Sequence, residues 1–248
     1  MNKIKFALHA LLLLLIITSC GEDQVRVKKV PSVYSSISDV RKNTYRAVKI
    51  GDFTWMVDNY KCDRYNYIPP KMNYYDTIRT LLPYDVSIVD RISTPKDTNA
   101  LQWPYDGKDS NLTNYGRMYT WLAVTDPRNM CPTGWHVSTE SEWLNMIEFL
   151  GGTEIAGGKL KDTLNKYWET PNVGANNSSL FSGRAGGYRT EFGSYLNQMK
   201  FGYYWTSTED PNDKESAICF ALYSGTGKVY RDSKPKRYAM SVRCVKNH

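Results

Sequence analysis

The sequence predicts an α+β fold, a mixed small sheet with helices on one side and long loops between the elements. Three observations lead there. Short apolar runs bounded by turn residues read as strands, one segment carries helix start and stop signals, and long stretches rich in Tyr, Asn, Asp and Gly show no period. At 248 residues the chain is long enough for one sizeable domain or two small ones.

Lys3 and Lys5 open the chain, and residues 6–17 are apolar apart from His9. A membrane-spanning helix needs about 20 apolar residues, so this stretch reads as a secretory signal peptide rather than a span. It ends in Ile17-Thr18-Ser19-Cys20, which resembles the lipobox of bacterial lipoproteins. Cleavage before Cys20 removes residues 1–19, and the Cys20 thiol is the expected acceptor of a diacylglycerol. Glu22 and Asp23 follow closely, similar to the surface-export signal of some Gram-negative lipoproteins. The expected address is the outer membrane, lipid-anchored, on the cell surface rather than the periplasmic face. Residues 20–45 are polar and charged and read as a lipidated tether, leaving 46–248 as the folded domain.

The element pattern begins at Ala47-Val48-Lys49-Ile50, which meets Phe53-Thr54-Trp55-Met56-Val57 across Gly51-Asp52, a hairpin signal. Residues 58–115 are irregular and read as long loops with one or two short elements. Cys131-Pro132-Thr133-Gly134 is turn chemistry and Trp135-His136-Val137 a short strand. Thr139 with Glu142 forms a capping box, Trp143, Ile147 and Leu150 share one helical face, and Gly151-Gly152 stops the helix. A second helix is expected over 154–164, weakened by Gly157-Gly158. Short strands are expected at 203–207, 217–223, 228–230 and 240–245.

The net charge is +7, two units of it from the leader lysines. The remaining basic residues are scattered among acids, whereas a nucleic-acid binder clusters them, so no nucleic-acid partner is expected. The sequence holds 19 tyrosines and 7 tryptophans, suited to packed β structure and also to carbohydrate-binding faces. Setting Cys20 aside, Cys62, Cys131, Cys219 and Cys244 remain, an even number for an oxidising compartment with three possible pairings.

Tyr115-Gly116-Arg117-Met118-Tyr119-Thr120-Trp121, Cys131-Pro132-Thr133-Gly134-Trp135-His136-Val137, Gly183-Arg184-Ala185-Gly186-Gly187-Tyr188-Arg189, Tyr204-Trp205-Thr206-Ser207-Thr208 and Ser241-Val242-Arg243-Cys244-Val245 follow one another in an order that resembles the Fibrobacter succinogenes major paralogous domain. The resemblance covers about residues 48 to 247. It implies a fold similar to C-type lectins and formylglycine-generating enzymes, and it implies no particular reaction. It also implies a disulfide between Cys131 and Cys244, which both lie inside its motifs, and so leaves Cys62 with Cys219. The chain departs from the family pattern in the long 58–114 region and in Ser138, where a proline often stands.

Three functions follow as expectations. The first is a non-catalytic binding or adhesion module displayed on the surface through a lipid, with glycans as the ligand class. The second is a structural subunit of a surface appendage or polysaccharide-capture complex, with a surface protein as partner. An oxidase of the formylglycine-generating type is disfavoured because its copper chemistry needs two nearby thiols. No enzyme activity, cofactor or metal is expected: His136 is the one histidine inside the folded part, and no paired-carboxylate motif stands out. The acidic loop Glu209-Asp210-Pro211-Asn212-Asp213 holds potential calcium ligands, and its residues are also ordinary turn formers.

Overall fold

The hairpin expected around Gly51 forms, with Ala47 opposite Met56 and Ile50 opposite Phe53. It belongs to a computed structural model that describes residues 33–65 and 101–248. The leader, Cys20 and residues 66–100 of the long loop region lie outside the described residues.

In chain order the strands are β1 (Val33–Ser38), β2 (Thr44–Ile50), β3 (Phe53–Met56), β4 (Gln102–Pro104), β5 (Arg117–Thr120), β6 (Trp135–Val137), β7 (Tyr188–Arg189), β8 (Tyr195–Leu196), β9 (Phe201–Glu209), β10 (Ser216–Tyr223), β11 (Val229–Pro235), β12 (Ala239–Met240) and β13 (Cys244–Lys246). The α-helices are α1 (Leu112–Tyr115), α2 (Trp121–Val124), α3 (Glu140–Phe149) and α4 (Thr153–Leu160). The strands make three sheets, in the orders β1-β2-β3-β13-β6, β11-β10-β9 and β4-β5-β12-β7-β8.

This corrects the expected fold class. The described residues are 35% strand and 18% helix, and the sheets are curled and antiparallel, so the chain is mostly β rather than α+β with helices on one side of a mixed sheet. The C-type-lectin-like arrangement implied by the resemblance falls with it. The reason is strand length. Strands β7, β8 and β12 have two residues each, too few to show the two-residue alternation that identifies a strand. The apolar run 240–245, read as one strand, is in fact split. Residues 239–240 pair with β5 and β7, residues 244–246 pair with β3 and β6, and Ser241-Val242-Arg243 crosses from one sheet to the other. Strand β1 also begins at Val33, within the stretch expected as tether, and pairs with β2.

Helix α3 follows its sequence signals. The Thr139 hydroxyl accepts from the Glu142 amide, and the Glu142 carboxylate accepts from the Thr139 amide at 2.7 Å, a complete capping box. Such a cap stabilises a helix by about 1 kcal/mol. Its buried face, Trp143, Met146 and Ile147, packs against the β10-β9 sheet, with Trp143 stacked on Phe220 at 5.0 Å between ring centroids. The Trp143 indole donates to the Ser138 hydroxyl at 3.0 Å, a role proline could not fill. Helix α4 ends at Leu160, short of the expected 164. Gly157 and Gly158 do not weaken it; they let it approach backbone. A Cβ on Gly157 would stand 2.1 Å from the Lys228 carbonyl oxygen, and one on Gly158 2.2 Å from that of Gly174.

Two buried cations tie the loop-rich half together. Lys161, wholly buried, donates to the carbonyls of Val173, Tyr223 and Thr226 at 2.8, 2.9 and 2.8 Å, and burial pushes its pKa down to about 8. All three ammonium protons are thereby used. Arg243, also fully buried, donates from Nε to Asn59 at 2.8 Å and from its terminal nitrogens to the carbonyls of Met56, Val57, Phe181 and Ser182. Buried charges persist only where hydrogen bonds replace the lost water, and here backbone carbonyls supply them.

Candidate functional site

Two clefts open on the described surface, and the Gly183–Arg189 motif contributes an arginine to each. The first, of about 470 Å³, lies between the start of β2, the stretch after β3, helix α1 and the loops carrying Tyr167 and Arg184. Asp58 accepts three hydrogen bonds from Arg46, at 2.9 Å from the amide, 3.2 Å from Nε and 2.7 Å from a terminal nitrogen. Burial opposes the charge on Asp58, but the bonds from Arg46 outweigh it and hold the pKa below the usual carboxylate range. The Arg184 guanidinium lies 4.0 Å over the Tyr167 ring and donates to the Asn114 carbonyl at 2.8 Å.

The second cleft, of about 420 Å³, is built on the β4-β5-β12-β7-β8 sheet and lined by Leu101, Trp103, Thr120, Arg189, Glu191, Phe192 and Arg237. Arg189 of β7 stacks 3.9 Å over the Trp103 ring of β4, and Tyr195 of β8 lies 5.7 Å away on its other contact. Arg237 pairs with Glu191 at 3.8 Å. Between β7 and β8 the chain turns through residues 190–194. The Thr190 amide donates to the Ser194 carbonyl at 2.8 Å, and the Ser194 amide to the Thr190 hydroxyl at 3.2 Å. Gly193 takes a φ of +94° that suits glycine. This tight loop holds Phe192 outward, 87% exposed, at the cleft's edge.

The Fibrobacter succinogenes major domain family model matches residues 48–246. The chain belongs to this family. No curated protein and no solved structure matches it.

Within the Fibrobacter succinogenes major domain of this chain, the motif cysteines Cys131 and Cys244 form a disulfide, with Cα atoms 6.0 Å apart. The other expected bridge is absent: Cys62 and Cys219 are free thiols, both buried. Both belong to the same apolar core, which also holds Tyr60, Tyr119 and Trp205. Burial and the nearby Asp39 push the Cys62 thiol up to about 12, and burial within β10 raises Cys219 as well, so neither is a ready thiolate. The cysteine count reads as two pairs, yet a buried cysteine also serves as a small apolar side chain.

His136 is bonded at both ring nitrogens, Nε2 to Glu142 at 2.8 Å and Nδ1 to Asn247 at 2.7 Å, and lines neither cleft. The acidic loop uses its carboxylates internally. Asp210 accepts the Asn212 amide and Asp213 the Glu215 amide, while Glu209 pairs with Lys236. Among the described residues no group of three or more His, Cys, Asp or Glu side chains is placed to hold a metal ion. No described helix is long and apolar enough to cross a membrane.

Arg184 and Arg189 stand in the quoted motifs, whereas Tyr167, Trp103 and Phe192 belong to none of them. The available signal was a large aromatic inside a Gly-containing turn, Thr190-Glu191-Phe192-Gly193-Ser194, and two arginines five residues apart in one glycine-rich motif.

Proposed function

We propose that this chain is a lipid-anchored, surface-displayed binding module that holds glycans without reacting with them, and that the cleft beside Phe192 is its glycan site. The observation that carries the reading is Phe192, almost fully exposed on a hydrogen-bonded turn at the edge of that cleft. A single exposed apolar residue is ordinary. One fixed in place beside Trp103, two arginines and a glutamate combines an apolar face for a sugar ring with donors and an acceptor for its hydroxyls. Pockets of this kind commonly measure about 300–1,000 Å³. The rigid turn also limits the ordering cost on binding. Display rests on the leader and the Ile17–Cys20 segment, with Cys20 as the lipid acceptor.

A glycan array probed with the full chain tests this. The expected result is binding to a defined set of glycans, weakened about tenfold by Phe192→Ala, equivalent to ~1.4 kcal/mol. A blank array, or a Phe192→Ala variant that binds as well as the original, overturns it. A stable protein partner recovered from detergent-solubilised membranes beside a blank array would instead favour an assembly subunit.

A further inference from the structure

We infer that the cleft between Asp58 and Arg184 is a second ligand site, one that takes a carboxylate-bearing sugar of the uronate class. It lies apart from the Phe192 cleft and shares no lining residue with it. Three cations, Arg46, Lys61 and Arg184, line it against one carboxylate, Asp58.

Arg184 keeps donors that the described residues leave unused. The Arg184 side chain is only 15% exposed, and its Nε makes no hydrogen bond. Asp162 stands 3.7 Å from that nitrogen, an ion pair beyond hydrogen-bond reach. That nitrogen is sealed from solvent, and the donors left for a ligand are on the second terminal nitrogen, to which the described residues offer no hydrogen-bond acceptor. Stacking on Tyr167 fixes the plane of the guanidinium, so its donors are already oriented. Lys61 holds its ammonium 5.7 Å from the Tyr45 ring centroid and has no carboxylate within ion-pair distance among the described residues.

Asp58 narrows the ligand class. An ionised carboxylate offers about four acceptor positions, and Arg46 fills three, leaving one on Oδ1. A phosphate dianion brings a second negative charge toward Asp58 and at most one hydroxyl donor. A sugar acid carries one negative charge for Arg184 and Lys61 together with hydroxyl donors for Asp58. The cleft volume lies in the range of small-ligand pockets.

Calorimetric titration of the full-length chain in detergent, at low ionic strength, tests the assignment with four probes: galacturonate, galactose, inorganic phosphate and glycine. The expected result is galacturonate binding at least about tenfold tighter than any of the other three, the factor that one charge-assisted hydrogen bond supplies. Lys61→Gln, at a partly exposed position without a carboxylate partner, should weaken galacturonate about tenfold. The Arg184 Nε–H signal in nitrogen-15 spectra should shift on titration. No galacturonate binding, equal binding of galactose, phosphate or glycine, or an unchanged affinity in Lys61→Gln overturns the inference. Phe192→Ala should leave galacturonate affinity unaltered, so failure here and failure of the glycan reading at Phe192 are separately visible.

Discussion

Arg243 shows why a residue type in a motif does not announce its work. An arginine immediately before strand β13 reads as a solvated charge, yet it reaches back to residues 56, 57 and 59 and across to 181 and 182. A lysine would keep the charge and lose the planar fork that spans these acceptors. Arg243→Lys is expected to destabilise the fold by about 3 kcal/mol or more, measured by urea unfolding, because several buried carbonyls lose their donor. His136 and Glu142 make a second residue-scale case. The bond to Glu142 raises the His136 pKa against the opposing effect of burial. Burial acts most strongly on Glu142, but His136 and Thr139 together lower its pKa. The histidine contribution is full below its ordinary value of 6.5 and fades as pH rises through the raised value. The glutamate contribution is full above 4.5 and fades as pH falls through the lowered value. Both act together between pH 4.5 and 6.5. Thermal melts should therefore show the protein losing stability from pH 6 to 8 relative to Glu142→Gln, which keeps the cap and removes the charge. Parallel pH profiles would refute the pairing.

At the scale of elements, legibility followed length. Helix α3, with its cap, apolar face and glycine stop, and the β2-β3 hairpin could be read directly, because each carries several turns or residues of pattern. The two-residue strands could not, and the sheet that carries Trp103 and Arg189 is made largely of them. Hence the second cleft was invisible in the sequence, although both of its key types, aromatic and arginine, were abundant. The cysteines divide in the same way. Cys131 and Cys244 join the turn before β6 to the adjacent strand β13, closing a separation of 113 residues, worth about 5 kcal/mol on the chain-entropy model. Cys62 and Cys219 remain as packing. Alkylation before and after denaturation, followed by non-reducing peptide mapping, should recover a Cys131–Cys244 peptide and modify Cys62 and Cys219 only after unfolding. Recovery of a Cys62–Cys219 peptide would contradict the structure.

For the whole molecule, the family and its extent were legible because the motif order survives over most of the chain, while the fold class was not. Many aromatics and few long helices were compatible with either class. The deciding information was which short segments pair, and that is set by contacts far apart in sequence, such as Gln102 with Tyr119 and Ala239 with Arg189. The motif residues proved to be largely internal ties: the Trp121 indole to the Thr206 carbonyl, the Trp205 indole to that of Tyr119, and the Tyr119 hydroxyl to that of Cys62. The two arginines of the 183–189 stretch, with Gly116 and Thr120, line the clefts instead.

Strand β13 lies between β3 and β6, so the described strand furthest along the chain stands in the interior of the first sheet and not at an edge. Synthesis proceeds from the N-terminus, and until residues 244–246 are free the neighbours on both sides face each other across a gap. Arg243 and one half of the disulfide arrive in the same few residues. A chain without residues 243–246 consequently cannot complete the first sheet. Residues 243–246 therefore act as a latch, bringing the central strand, the buried guanidinium and the second disulfide cysteine into place together.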